Sequence, residues 1–340
     1  MSSDEINIAK NYHEVVNLIE EAKNRVNSYV NRELINLYLE IGKYVSKKVE
    51  LDGWGKGTVK ALSEFLSKNY PDTKGFSAQN IWRMKQFYET YKDNKKLSTL
   101  SREISWSNNC IIFSRTKSIE EREFYLQMTI RERYSARELE RQINSSLFER
   151  TAISDTKKKL GIVINDEKFS LIRDNYVLEF LSLPEGFKEV DLRKQIVANL
   201  KQFILEFGRD FVFVGEEYRV QVGNEDFYID LVFFHRELTC LVAFELKIDK
   251  FKPEYIGKMN FYLEALDRDV KKEKEKPSIG VILCTDKDDE VVEYALSRNI
   301  SPTLVAEYKT KLIDKEILQR KLHEFYRLAE DSLIGVVNDE

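Results

Sequence analysis

The stretch FYIDLVFFHRELTCLVAFELK, residues 227–247, decides how the chain folds. Two runs of aromatic, β-branched and aliphatic residues flank a polar patch, His235, Arg236 and Glu237, which is the pattern of two buried strands joined by a tight turn. Charges nevertheless interrupt both runs: Asp230 in the first, Glu245 and Lys247 in the second, where desolvation is costly. Alternate residues of a strand share a face, so Glu245 and Lys247 point the same way. A turn centred between Glu237 and Leu238 sets Asp230 opposite Glu245 and gathers the three charges into one cluster.

Two carboxylates side by side repel each other, and a divalent cation between them makes the arrangement favourable. The same repulsion predicts that neutralising either carboxylate is neutral or stabilising in metal-free protein. Held by Asp230 and Glu245, magnesium or manganese would polarise a phosphodiester oxygen and acidify an attacking water. The Lys247 ammonium would offset charge developing on the phosphorane. The triplet E-x-K also occurs at Glu21-Ala22-Lys23 and Glu307-Tyr308-Lys309. Its setting within a strand, one hairpin after a strand-embedded Asp, is what raises its specificity.

Working outward from the hairpin, the pattern predicts a helix from Glu189 to Phe207 stopped by Gly208, then a strand over FVFVGEEYRVQV. After it come a helix from Pro253 to about Asp267, a strand at 279–285, a helix over DDEVVEYAL and a strand at TLVAEY. The order αβββαβαβ predicts a mixed α/β domain around a central sheet over 167–340. TAISDTKKKLGIVIND, 151–166, reads as a linker. Residues 1–150 read as all-helical. Apolar residues recur at helical spacing from Asn7 to about Val49, and GWGKG at 53–57 interrupts them. Ser77, Ser118 and Ser135 each stand as an N-cap before a new helix.

Apolar residues make up 42% of the 340 and charged residues 33%, which suits a globular protein and argues against extended disorder. No apolar run approaches the roughly 20 residues of a membrane span, and MSSDEINIAKNYHEVV lacks the apolar core of a signal peptide. A cytoplasmic location without a membrane partner is expected. Cys110, Cys240 and Cys284 lack CxxC pairing and read as free thiols. With His13, His235 and His323 equally scattered, the chain favours an oxygen-ligated metal over zinc. His235 reads as a surface turn residue. Residues 1–150 carry 25 Lys and Arg against 21 Asp and Glu, and the remainder 29 against 37. Either chance or a division of labour between phosphate attraction and metal binding accounts for this.

The segment Ser77 to Lys92 has two readings. As a recognition helix it turns Arg83, Lys85 and Gln86 to DNA and Ile81, Met84 and Phe87 to the core, helped by Lys56, Lys60, Lys68 and Lys74 upstream. As an ordinary bundle helix it merely packs. Trp54 and Trp82 read as core anchors, Tyr255 and Tyr262 as packing on the sheet, and Lys250 and Lys252 as solvated.

FYIDLVFFHRELTCLVAFELK, FKPEYIGKMNFYLEALD at 251–267 and PSIGVILC resemble the YhcG family of PD-(D/E)XK nuclease-superfamily proteins. The resemblance extends to ELINLYLEIGKYVSKKVELDGWGKGTV, GFSAQNIWRMKQFYETY and REFYLQM, so it spans nearly the whole chain. It implies a restriction-endonuclease-like C-terminal core, with Asp230 and Glu245 as metal ligands, the Leu246 carbonyl as a third ligand and Lys247 as the catalytic lysine. The N-terminal half resembles that family's helical, DNA-binding domain. Two positions depart from the family pattern. Arg193 stands where its helix carries a Glu, with only Glu189 and Asp191 nearby, and Lys258 replaces the Gln of GQMNFYL. Three functions remain open on the residues: a magnesium-dependent DNA endonuclease, a non-catalytic DNA-binding scaffold, or a helical protein whose long N-terminal helices join a homodimer.

Overall fold

The computed structural model describes residues 3–72, 74–159 and 171–337. The chain divides into two compact units, Met1–Glu140 and Arg141–Glu340.

The first unit is helical: α1 (Ser3–Asp52), α2 (Lys56–Asn69), α3 (Ala78–Tyr91), α4 (Lys95–Ser101), α5 (Trp106–Arg115), α6 (Ile119–Glu132) and the start of α7 (Ala136–Asn144). The serines cap as expected. Ser77, Ser118 and Ser135 Oγ accept from the backbone N–H groups of Asn80, Glu121 and Glu138 at 3.3, 3.0 and 3.2 Å. α1 lies directly on α3 because position 42 is glycine; a Cβ there would sit 2.1 Å from the Met84 carbonyl oxygen. Around this crossing Val45, Val59 and Ile81 form a buried cluster, with Trp54 and Trp82 packed against it.

The second unit holds a six-stranded sheet of order β1-β6-β5-β4-β3-β2. β2 (Phe211–Val222), β3 (Glu225–His235) and β4 (Cys240–Leu246) form an antiparallel meander. β4, β5 (Lys276–Cys284), β6 (Thr303–Lys309) and β1 (Asn175–Val177) run parallel. Both faces are covered, which is why the β3 and β4 runs are nearly continuously apolar. Phe233, Val242, Phe244 and Val281 meet Leu192, Ile196, Phe203 and Phe207 of α9 (Glu189–Ala198) and α10 (Leu200–Phe207). Val232, Ala243 and Ile282 meet Ile256, Met259 and Leu263 of α11 (Glu254–Ala265), with Val292 of α12 (Asp289–Leu296).

The hairpin register is the expected one: Leu231 faces Phe244 and His235 faces Cys240. Elsewhere the structure departs from the sequence reading. The helix before β2 is two helices, α9 and α10, meeting at Asn199. β1 was not anticipated because three residues are too short to show a period. α13 (Lys315–Val337) was not anticipated either, and it packs with α8 (Leu147–Lys159). α8 runs through the first part of the stretch read as a linker; residues 160–166 lie outside the described residues. His235 is buried, not a surface residue. Its ring stands edge-on to Phe211 with centroids 4.8 Å apart, and its Nδ1 accepts from the Leu238 N–H at 3.2 Å. Cys110, Cys240 and Cys284 are free thiols. Among the described residues no helix is long and apolar enough to cross a membrane.

Candidate active site

Asp230 lies on β3, Glu245 is the penultimate residue of β4, and Lys247 follows the strand's end. The Leu246 N–H donates to Asp230 Oδ2 at 2.9 Å, so Asp230 stands beside the Glu245–Leu246 peptide as the hairpin register requires. In a strand, a residue's N–H and C=O leave on the same side, which turns the Leu246 carbonyl toward Asp230 as well. Glu245 is fully buried. Its Oε1 accepts from Lys247 Nζ at 3.0 Å and from Lys258 Nζ at 2.6 Å, while its buried Oε2 has no hydrogen-bond partner.

The remaining members come from the flanking helices. Lys247 Nζ also donates to both oxygens of Glu189, the first residue of α9, at 3.1 and 3.2 Å. One turn further along α9, Arg193 Nη1 donates to Asp230 Oδ1 at 3.3 Å and Nη2 to Glu217 Oε1 of β2 at 2.7 Å. Arg193 thus occupies the site without supplying a carboxylate, and Glu189, four residues earlier on the same helix face, supplies one. Its four-residue offset from Arg193 was the available signal; Glu217, far away in sequence, gave none.

α11 carries two tyrosines on one face, seven residues apart. The Lys247 ammonium lies 5.2 Å from the Tyr255 ring centroid and the Lys258 ammonium 5.4 Å from that of Tyr262. Each ring is itself fixed: the Tyr255 hydroxyl donates to Asp249 at 2.9–3.0 Å and the Tyr262 hydroxyl to the Tyr228 carbonyl at 2.6 Å. Both lysines that meet on Glu245 therefore rest on aromatic faces, a favourable cation–π placement. Burial by itself would lower the Lys247 pKa, but Glu245 and then Glu189 carry it above the ordinary lysine value. Lys258 is raised in the same way, against its own burial, by Glu245. Both ammoniums are firmly charged near neutral pH.

As for a metal, the donors fit a hard cation in type: two carboxylates, one with an unpartnered buried oxygen, and the main-chain carbonyl of Leu246 next to Glu245 in the chain. Magnesium characteristically takes one or two carboxylates and completes its shell with water and phosphate. Among the described residues no group of three or more His, Cys, Asp or Glu gathers at one point, so protein ligands alone would not fill the shell. Lys258 and Arg193 now neutralise the two carboxylates.

The helical-unit candidates are less converged. Lys56, Lys60, Lys68, Lys74, Arg83 and Gln86 are exposed, and Lys60 lies 3.8 Å from Glu64. Lys85 is half-buried, pairs with Glu89 at 2.7 Å and lies 5.9 Å from the Trp82 ring. Ile81, Met84 and Phe87 are buried, as expected. Lys252 pairs with Asp249 at 2.8 Å, and Lys250 lies 3.9–4.0 Å from Asp286 and Asp288.

A parallel-antiparallel sheet with Asp on one strand and Glu-x-Lys on the next is the core of the PD-(D/E)XK nuclease class, and residues 169–323 match the family described as "YhcG PDDEXK nuclease domain". Residues 14–150 match the family described as "DUF1016 N-terminal domain". Over 357 aligned residues, 93% of this chain and 94% of the relative, the chain is 31% identical to the protein named "Putative nuclease YhcG" of Escherichia coli (strain K12). The chain belongs to the YhcG family. Two solved structures show a remote likeness at 14% identity and a TM-score of 0.27. They are a repair endonuclease from Pyrococcus abyssi, over 38% of this chain and 50% of that one, and an EndoMS–dsDNA2 complex, over 36% and 46%. The match spans about half of each of those chains.

Proposed function

We propose that this chain is a metal-dependent DNA endonuclease that hydrolyses phosphodiester bonds, working in the cytoplasm in genome defence, recombination or mobile-element biology. The observation that carries the reading is the convergence of Asp230, Glu245 and Lys247 on one end of the hairpin, with Glu245 Oε2 buried and unpartnered. Asp230, Glu245 and the Leu246 carbonyl would hold magnesium or manganese, which supplies Lewis acidity to the phosphate and lowers the pKa of a bound water. Lys247, held by Glu189 and Tyr255, presents a fixed positive charge where the pentacovalent phosphorus gains negative charge. For the carboxylates to hold that cation, Lys258 and Arg193 would give up their contacts with Glu245 and Asp230. Lys56, Lys60 and Arg83, with Lys85 in a lesser part, attract the DNA backbone.

A second reading rests on the same two cations. If Lys258 and Arg193 hold the carboxylates permanently, the domain binds DNA without cutting it. Incubating the purified full-length chain with linear, supercoiled and branched DNA, with and without magnesium or manganese, separates the two. Cleavage that needs metal and disappears in Asp230→Ala and Glu245→Ala, while DNA binding persists, is the expected result. DNA binding with no cleavage in any metal favours the second reading.

A further inference from the structure

α1 has two apolar faces, and the unit to which it belongs buries only one; on the other, Tyr44 makes an edge contact with the Trp54 ring at 6.0 Å. Ile35, Tyr38 and Val45 are buried, on the side where Gly42 meets α3. About a third of the circumference away, at 3.6 residues per turn, runs a second stripe: Val26, Val30, Leu37, Tyr44 and Leu51. These side chains are 61%, 59%, 43%, 54% and 67% exposed. Scattered exposed apolar residues need no explanation, but a stripe of large ones at seven-residue spacing on one helix is the seam of a helix pair.

The charges along this seam identify the occupant. Its amino-terminal half carries Glu33 and Glu40 and its carboxy-terminal half Lys43 and Lys47, all exposed and none ion-paired among the described residues. A second copy laid parallel would set like charge on like. Laid antiparallel about the middle of the stripe, near Glu40 and Ile41, it sets Leu37 against Tyr44 and Val30 against Leu51, and brings Glu33 within one residue of Lys47. Only the two Glu40 side chains approach each other there, and each has a Lys43 alongside. The surface is thus self-complementary under a two-fold axis, as an isologous interface requires.

We propose that the chain is a homodimer joined by antiparallel pairing of the Val30–Leu51 face of α1. This does not rest on the nuclease reading, since no residue of the sheet takes part. The test is sedimentation of the full-length protein. The wild type is expected to be dimeric at about 50 μM and above, the range of an interface of modest size. Leu37→Glu with Tyr44→Glu is expected to be monomeric with unchanged helical circular dichroism, because both side chains are largely exposed in the single chain and Tyr44 gives up only its edge contact with Trp54. Glu33→Lys and Lys47→Glu are each expected to weaken the dimer about tenfold, and their combination to restore it. A monomeric wild type overturns the proposal, as does a Leu37→Glu/Tyr44→Glu protein that stays dimeric. Failure of the charge exchange to restore pairing overturns the antiparallel arrangement.

Discussion

Glu245 holds two ammonium groups on one oxygen and none on the other, and this reverses an expectation drawn from the sequence. Side-by-side carboxylates predicted relief on neutralisation, but in the folded chain Lys247, Lys258 and Arg193 already offset them. Glu245→Gln leaves two ammoniums around a buried amide, and breaking a buried pair from one side costs roughly 3–5 kcal/mol. Chemical denaturation in chelator should show that loss, with a smaller one for Asp230→Asn, whose partner Arg193 keeps Glu217. Lys258 is the more dispensable cation, with a side chain 48% exposed. Removing its charge as Lys258→Gln should tighten magnesium binding by roughly tenfold or more in calorimetric titration, since a unit charge about 4 Å from another is worth about 1 kcal/mol even at the dielectric of water and the metal carries two. An unchanged affinity would mean that Lys258 does not compete with the metal.

At the scale of elements, α3 combines two roles on one helix: Ile81, Met84 and Phe87 bury while Arg83 and Gln86 face outward. Arg83→Glu should weaken duplex binding and reduce the salt slope by about one for a lost phosphate contact. Lys85→Glu should do less, because Lys85 is committed to Glu89. Fluorescence anisotropy across a salt series checks both. The α1–α3 crossing makes a stability prediction. Gly42→Ala drives a methyl into the Met84 carbonyl and should cost about 3 kcal/mol or more, beyond what overpacking usually costs, seen as a lowered melting temperature. Much of this architecture was legible in the sequence because it rests on local rules. Ser77, Ser118 and Ser135 cap their helices, and a short polar turn between two apolar runs set the β3–β4 register. Pairings between distant residues were not legible, such as Arg193 with Glu217 or Lys247 with Glu189, because side chains on separate elements meet only once the sheet has brought those elements together. His235 was misread for the same reason: its polar turn neighbours hid the Phe211 ring that covers it.

Across the nuclease-like unit, one buried carboxylate ties together elements far apart in the chain. Glu206 of α10 takes Arg141 at 2.6 Å, Arg150 at 3.3 Å and the Val177 N–H at 2.9 Å. Burial opposes its ionisation, but Arg150, Arg141 and Arg173 overcome that and hold its pKa at about 2. Since the unfolded carboxyl titrates near 4.3, its contribution is complete above that value and fades as pH falls toward the folded one. Melting temperature should therefore drop between about pH 4.5 and 2, and the Glu206→Gln protein, less stable at neutral pH, should lose much of that slope.

The Val177 N–H held by Glu206 belongs to β1, whose three residues lie along β6 from Glu307 to Lys309. Their separation in sequence gives this edge a kinetic character. The β2–β3–β4 meander closes through short turns and forms early, whereas β1 waits for a partner more than a hundred residues downstream, and such long closures are slow. Until β1 docks, β6 presents an open row of backbone donors and acceptors to other chains. A newly made chain is therefore most prone to aggregate after its β3–β4 hairpin has formed and before β1 has been recruited.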